Sequence, residues 1–149
     1  MIDFEKSNDA TTPDEIFALE QALGVVLPAD YKAFLLQQNG GRPREYEASI
    51  PEWGSTPVAR LLGVSASGRS DIAFQAKRMA SLLPAGVIPV GDDPGGNYFC
   101  LDTTKAGAGS VLLWDHESST PDENEGETEF KLYRVAPSFN AFLASLRRI

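Results

Sequence analysis

Four short apolar runs in the second half of the chain constrain its fold more than any other feature. Each run is bounded by Gly, Pro or acidic residues, which is the pattern of a β-strand between turns. Consecutive strands with short connections favour antiparallel pairing between neighbours. The sequence therefore predicts an antiparallel meander. Its strands are VIPV (87–90), NYFCLD (97–102), SVLLWD (110–115) and FKLYRV (130–135).

Helical patterns lie at both ends of the chain and once in its middle. The first begins at Thr12, which can cap the helix, and continues with Pro13, which suits the first helical position. Gly24 follows the last apolar residue of this helix and is well placed to end it. Further helices are predicted over 29–38, 70–83 and 138–148, and shorter strands over 46–50 and 58–64.

The fold class predicted from this order is α+β. We expect one domain over residues 1–149, in which an antiparallel meander packs with N-terminal, central and C-terminal helices. Residues 1–11 are expected to be a loosely ordered N-terminal segment. Arg147 and Arg148 close the last helical pattern, where cations suit the negative end of a helix dipole.

The stretch VGDDPGGNYFCLD (90–102) has the glycines of a ligand-binding loop but not the charges. A phosphate loop uses glycine with a lysine and a following helix, whereas here Asp92 and Asp93 flank the turn and a strand follows. The spacing of a calcium loop is also absent. Pro94 and Gly95 predict a type II turn between two strands. Cys100 lies inside the second of these strands and is expected to be a buried structural thiol.

Negative charge is concentrated in one segment. Seven acids and no Lys or Arg lie between residues 115 and 129, and they account for seven of the eight net negative charges. This excess of negative charge disfavours nucleic acid and anionic membranes as partners and favours a cation or a basic protein surface. The alternative is a solvated loop that only keeps the protein soluble. The acids are Asp115, Glu117, Asp122, Glu123, Glu125, Glu127 and Glu129.

The residues give little support for catalysis or a cofactor. With a single histidine, His116, and a single cysteine, a zinc site would need carboxylates for nearly every ligand. No nucleophile-elbow pattern surrounds any serine. We therefore expect no enzyme activity, cofactor or metal, although a divergent hydrolase that uses the acids around His116 stays open.

The two tryptophans differ in context. Trp114 lies in an apolar strand and is predicted to belong to the core. Trp53, between Pro51 and Gly54, is predicted to lie in a loop, where it either anchors a partner or covers one edge of the core.

The chain shows no sign of secretion or membrane insertion. One cysteine cannot form an intramolecular disulfide, and the acidic N-terminal segment lacks the basic start and apolar run of a signal peptide. No apolar segment approaches the roughly 20 residues that cross a bilayer. The sequence predicts a cytoplasmic protein.

Several of these segments together resemble the SUKH superfamily, which includes the fungal cell-wall regulator of the Smi/Knr type. The most specific part is E-x-x-L-G-x-x-L-P (20–28) followed by D-Y-x-x-F-L (30–35) and Asn-Gly-Gly (39–41). The resemblance covers nearly the whole chain and is weakest over residues 42–83. Its other segments are GVIPVGDDPGGNYFCLD (86–102), SVLLWDHE (110–117) and APSFNAFLASL (136–146).

The resemblance implies an α+β scaffold without catalytic residues. Bacterial members of the superfamily are largely immunity proteins that neutralise toxins, many of them nucleases or deaminases. We therefore expect a cytoplasmic immunity protein that binds a basic toxin domain, with an intracellular regulatory or scaffold protein as the alternative. The oligomeric state stays open. The expected contact residues are Trp53, Asp92, Asp93 and the seven acids of residues 115–129.

Overall fold

The β-strands form two antiparallel sheets in the computed structural model, which describes residues 2–117 and 131–149. The strands are β1 (Phe4–Ser7), β2 (Gly41–Pro43), β3 (Tyr46–Ile50), β4 (Gly54–Pro57), β5 (Arg60–Leu61), β6 (Val87–Asp92), β7 (Tyr98–Asp102), β8 (Val111–Trp114), β9 (Leu132–Ala136) and β10 (Arg147–Arg148). The larger sheet has the order β1-β2-β5-β6-β7-β8-β9, and the smaller one the order β10-β3-β4. The predicted meander is confirmed as β6 to β9.

The helices are α1 (Pro13–Leu23), α2 (Ala29–Gln37), α3 (Ile72–Arg78) and α4 (Phe139–Ser145), and a short 3-10 turn spans Gly68–Ser70. Helix α1 begins as its sequence predicts, because the Thr12 side chain accepts a hydrogen bond from the Glu15 backbone N–H. It ends at Leu23 and is capped by Gly24, whose φ of 66° is the left-handed conformation that glycine adopts easily. In the residues that the structure describes, four helices beside two antiparallel sheets confirm the α+β class.

The meander is buried on both of its faces. Alternate residues such as Phe99 and Leu113 face the larger core, where Phe99 packs against Phe142 of α4 with ring centroids 5.1 Å apart. The residues between them, Cys100 and Trp114, face a smaller cluster together with Met79 and Leu83. Burial raises the pKa of the Cys100 thiol, so the predictions of a structural thiol and a core Trp114 are both confirmed.

Two predicted helices are shorter in the structure, each for a local reason. Helix α3 begins one residue after Asp71, which caps it, and ends at Arg78; the residues after Met79 form a turn, in which the Leu82 backbone N–H donates to the Met79 carbonyl at 2.9 Å. The last helix ends at Ser145. Arg147 and Arg148 instead form β10, which pairs with β3, and their guanidinium groups bond to Glu47 and Asp3.

The N-terminal segment is also more ordered than its sequence suggests. Residues Phe4–Ser7 form β1, an edge strand that pairs with β2, and Asn39 holds the chain at Asp9 by donating from Nδ2 to the Asp9 carbonyl at 2.9 Å. The predicted strand over 58–64 is reduced to the two residues of β5.

Candidate partner-binding surface

Three segments that are distant in sequence meet at one end of the sheet. They are the β3–β4 turn with Trp53, the β6–β7 turn over 93–97, and residues 115–117 after β8; together we call them the turn surface. Trp53 donates from Nε1 to Asp115 Oδ2 at 2.9 Å, and Asp115 Oδ1 accepts from the Glu117 backbone N–H at 2.9 Å. Asp115 therefore fixes the half-buried Trp53 ring to the point where the acid-rich segment begins.

The buried Asp93 carboxylate holds the β6–β7 turn in place through hydrogen bonds. Its Oδ1 accepts hydrogen bonds from the backbone N–H groups of Gly95 at 3.0 Å and Asn97 at 2.8 Å. Its Oδ2 accepts from Thr56 Oγ1 at 2.8 Å and from Asn97 Nδ2 at 2.9 Å. The carboxylate is buried, and four donors from β4 and the turn satisfy it.

The predicted type II turn at Pro94–Gly95 is wrong. That turn requires positive φ at Gly95, but the residue with positive φ is Gly96, at 93°. The Asp93 backbone N–H bonds to the Asn97 carbonyl at 3.1 Å, which closes a hairpin loop of three residues whose last residue is left-handed. Gly96 therefore adopts the left-handed backbone conformation, and Gly95 donates its N–H to Asp93.

The Asn97 side chain connects the β6–β7 turn to His116 by hydrogen bonds. Because its Nδ2 donates to Asp93, its Oδ1 faces His116 and accepts from the His116 backbone N–H at 3.2 Å. The same oxygen lies 2.8 Å from Nδ1 of the His116 ring. An amide oxygen can only accept, so His116 Nδ1 carries a proton. The chain Thr56–Asp93–Asn97–His116 thus joins three elements of the turn surface.

Asp92 points away from this network and pairs with Arg60. The Arg60 Nε atom lies 3.1 Å from Asp92 Oδ2, whereas Asp92 Oδ1 is buried and has no partner among the described residues. Burial raises the pKa of Asp92 to about 6 and the charge of Asp93 adds to this effect, while Arg60 opposes both. Asp92 therefore changes its charge between mildly acidic and neutral pH.

This raised pKa predicts a pH-dependent effect of Asp92→Asn. The folded protein binds the Asp92 proton more tightly than the unfolded chain, so this group's contribution to stability is present below pH 4 and is lost as pH rises through about 6. Asparagine carries no charge to bury. The free energy of unfolding of Asp92→Asn relative to wild type should therefore rise by about 2 kcal/mol between pH 4 and pH 7.5.

Urea unfolding at pH 4, 5, 6 and 7.5 measures this difference, and Glu5→Gln, at an exposed acid, is the control. The Asp92→Asn difference should rise from about pH 4 and level off above about pH 6. A difference that does not change with pH would contradict the assigned pKa.

The structure separates the predicted contact residues into groups. Trp53, Asp115 and Glu117 meet on the turn surface with at least part of each side chain accessible. Asp92 and Asp93 lie at its base, where both are less than a tenth exposed, so their carboxylates serve internal bonds rather than an open surface. Five predicted acids lie outside the described residues: Asp122, Glu123, Glu125, Glu127 and Glu129.

Sequence reasoning missed the two polar residues that connect the surface. Thr56 lies in β4 and Asn97 directly after the paired glycines, and neither belongs to a recognised motif. The available signal was the Asp93–Asn97 spacing across a glycine turn, since Asp and Asn side chains commonly bond to nearby backbone groups in turns. Within residues 2–117 and 131–149, no cluster of three or more His, Cys, Asp or Glu side chains could hold a metal ion.

Comparison with known proteins agrees with this fold. The model of the SMI1/KNR4 family (SUKH-1) matches residues 10–145, which is most of the chain. The chain belongs to the SMI1/KNR4 family. The match includes the whole meander, helices α1 to α4 and the complete turn surface, so the resemblance inferred from the sequence is confirmed.

Two relatives in Bacillus subtilis (strain 168) are similar to this family member. The SPbeta prophage-derived uncharacterized protein YokK is 25% identical over 162 residues, which cover 97% of this chain and 79% of YokK. The uncharacterized protein YnaB is 59% identical over 32 residues, which cover 22% of each chain. In the part of the chain that the structure describes, no helix has the length and apolar character needed to span a membrane.

Proposed function

We propose that this protein is an immunity protein that binds a basic toxin domain and neutralises it by occlusion. The observation that carries the proposal is the block of acids over residues 115–129, which begins at the turn surface of an SMI1/KNR4 fold. Its first member, Asp115, bonds to Trp53 through one carboxylate oxygen and to the backbone N–H of the second, Glu117, through the other. A relative whose name gives it a prophage origin is consistent with a role in competition between cells.

The chemistry of the turn surface suits protein recognition. Trp53 offers a large ring whose Nε1 is already bonded, so little side-chain entropy is lost when a partner covers it. Tryptophan is among the residues that contribute most to protein interfaces. The neighbouring acids attract a basic domain over a distance and speed its capture, which matters when a single free toxin molecule is harmful.

The proposed mechanism is stoichiometric and uses no catalysis or cofactor. The polar side chains of the turn surface bond to one another: Asp93 to Thr56 and Asn97, and Asn97 to His116. Such a network stabilises a fixed shape, which is what an inhibitor needs. Occlusion requires only that the complex outlast the time in which the toxin would act.

Affinity capture tests the partner class. The tagged protein is recovered from cells that express its native locus and is washed in 50 mM or in 500 mM NaCl. We expect one basic protein whose expression alone arrests growth, with most of it lost in the high-salt wash. Recovery of only housekeeping proteins would support the regulatory or scaffold function instead.

Charge reversal tests the role of the acidic segment. The double variant Glu123→Lys and Glu125→Lys should bind the captured partner about tenfold more weakly in low salt, because each reversal turns an attraction into a repulsion. The matched control is Glu5→Lys with Glu45→Lys, two exposed acids at the β1–β2 edge of the sheet, far along the strand order from β8. Calorimetric titration of both variants measures the affinities. Equal affinities would exclude the acidic segment from the interface.

A further inference from the structure

Three cations form a row across the β1 edge of the larger sheet. Lys6 on β1 lies directly opposite Arg42 on β2 in the strand register. Strands β2 and β5 pair antiparallel through Gly41 and Leu61, so the neighbouring residues Arg42 and Arg60 face each other across these two strands. Directly opposed side chains share one face of a sheet. Lys6, Arg42 and Arg60 therefore lie side by side on adjacent strands.

Such a row is unfavourable for folding by itself. Like charges that lie opposite each other on paired strands destabilise the pairing. Neither Lys6 nor Arg42 forms an ion pair with another described residue, although the chain as a whole carries eight excess negative charges. In an acidic protein, acids to neutralise these cations are abundant. An aligned row that leaves two of its three cations unneutralised is the arrangement expected where an anion from outside binds.

The row opens into a cleft that carries further donors. Lys6, Arg42 and Arg60 all line a cleft of about 360 Å³, together with Asn8 and four serines: Ser65, Ser67, Ser70 and Ser7, whose hydroxyl already accepts from Gln38. Serine hydroxyls and asparagine amides can donate hydrogen bonds to an anion, and guanidinium groups bind phosphate with two donors at once. The volume is at the small end of the range for ligand sites in proteins.

Two carboxylates bear on the charge of this cleft. Asp92 pairs with Arg60 from the neighbouring strand β6, with its oxygen 3.1 Å from Arg60 Nε, and this pair holds Arg60 in place at the back of the row. Asp9 lies on the cleft lining and is exposed, so it reduces the attraction for an anion. Lys6 and Arg42 remain as the two cations without a counter-charge among the described residues.

We propose that the cleft lined by Lys6, Arg42, Arg60, Ser65, Ser67 and Ser70 binds a small phosphate-bearing anion. This site is separate from the turn surface and needs no toxin, so it does not depend on the proposed immunity function. Arg42 and Arg60 hold the phosphate oxygens, Lys6 adds charge, and the serine hydroxyls complete the set of donors. Binding removes the repulsion within the row and so stabilises the β1–β2–β5 edge.

Calorimetric titration of the full chain tests the site with inorganic phosphate and, separately, with adenosine monophosphate, at pH 7.5 and low salt. We expect saturable binding of one equivalent of at least one of them, with a matching rise in melting temperature. Binding of both assigns the site to the phosphate group alone. Binding of the nucleotide alone assigns it to a phosphate monoester with an organic part.

Three variants locate the site. Arg42→Gln should bind the same anion about tenfold more weakly, because one charge in direct contact is removed. Asp9→Asn should bind it several-fold more tightly, because the opposing carboxylate is gone. Arg134→Gln, an exposed arginine on the edge strand β9, is the matched control and should bind as wild type does.

The free variants give a second measure that guards against misfolding. Without ligand, Arg42→Gln should melt at the same temperature as wild type or higher in low salt, because the repulsion in the row is relieved. The absence of saturable binding to either anion would overturn the proposal. Equal weakening by Arg42→Gln and Arg134→Gln, or binding of a single-stranded oligonucleotide with neither small anion bound, would overturn it as well.

Discussion

Replacing Asp93 by alanine is expected to reduce the free energy of unfolding by about 4 kcal/mol, because it removes a buried acceptor that serves four donors. The Asn97 N–H and the Thr56 hydroxyl would be left buried and without a partner. Unsatisfied buried donors cost more than the net value of the bonds themselves. The loss would unlink β4 from the β6–β7 turn and release His116 through Asn97.

Asparagine at the same position separates the structural role of Asp93 from its charge. In Asp93→Asn, one oxygen can still accept from Gly95 and Asn97, but the new amide N–H₂ meets the Asn97 amide, itself a donor. We expect a loss of about 2 kcal/mol, measured by urea unfolding, with partner affinity unchanged in the folded fraction. A variant as stable as wild type that binds the partner more weakly would mean that Asp93 contacts the partner directly.

Replacing Asn39 by alanine should be nearly as damaging, at about 3 kcal/mol. The buried Asn39 side chain donates from Nδ2 to the carbonyls of Asp9 and Val64, both at 2.9 Å, and its Oδ1 accepts from the Val64 N–H at 2.8 Å. These bonds hold the end of α2, the N-terminal segment and the chain after β5 together. Alanine would leave three backbone groups without their partner.

Thermal and urea unfolding measure the loss at Asn39, and the matched control is Asn140→Ala, an exposed asparagine in α4. The control should change the stability by less than about 0.5 kcal/mol. The two variants should therefore differ clearly in melting temperature. Similar melting temperatures would contradict the stabilising role assigned to the Asn39 hydrogen bonds.

The parts of the fold that could be predicted are those in which local pattern and tertiary packing agree. Helix α1 has a capping threonine, a proline at its first position and a left-handed Gly24, and all three act as the sequence indicates. The strands of the meander follow from apolar runs between turn residues, and the structure extends or trims each run by one or two residues. The antiparallel order of β6, β7 and β8 follows from the short connections between them, whereas β9 pairs with β8 across the longer stretch 115–131.

The parts that could not be predicted depend on partners that are distant in sequence. Arg147 and Arg148 continue a helical pattern, but pairing with β3 and the acids Glu47 and Asp3 draws them into a strand. Residues Phe4–Ser7 lack a clear strand pattern and become β1 only because β2 offers an edge. Tertiary pairing overrides local preference most easily in such short segments.

The contacts of the candidate surface also depend on residues that are distant in sequence, so the sequence alone did not predict them. Trp53 and Asp115 are separated by 62 residues, and only the fold shows that Trp53 Nε1 bonds to Asp115. The sequence marked Asp92 and Asp93 as charges available to a partner, whereas the fold buries both and gives them internal bonds. The row of Lys6, Arg42 and Arg60 also depends on strand register, which no local pattern specifies.

Titrating the activity of the captured toxin with this protein tests neutralisation by one-to-one binding. A fixed, micromolar amount of the toxin is mixed with increasing amounts of wild-type chain, and its residual activity is measured. We expect the activity to fall linearly and to vanish at one equivalent, with the acid-reversed variant of Glu123 and Glu125 requiring a large excess. Full inhibition by a small fraction of one equivalent, which indicates turnover, or no inhibition at any ratio would contradict it.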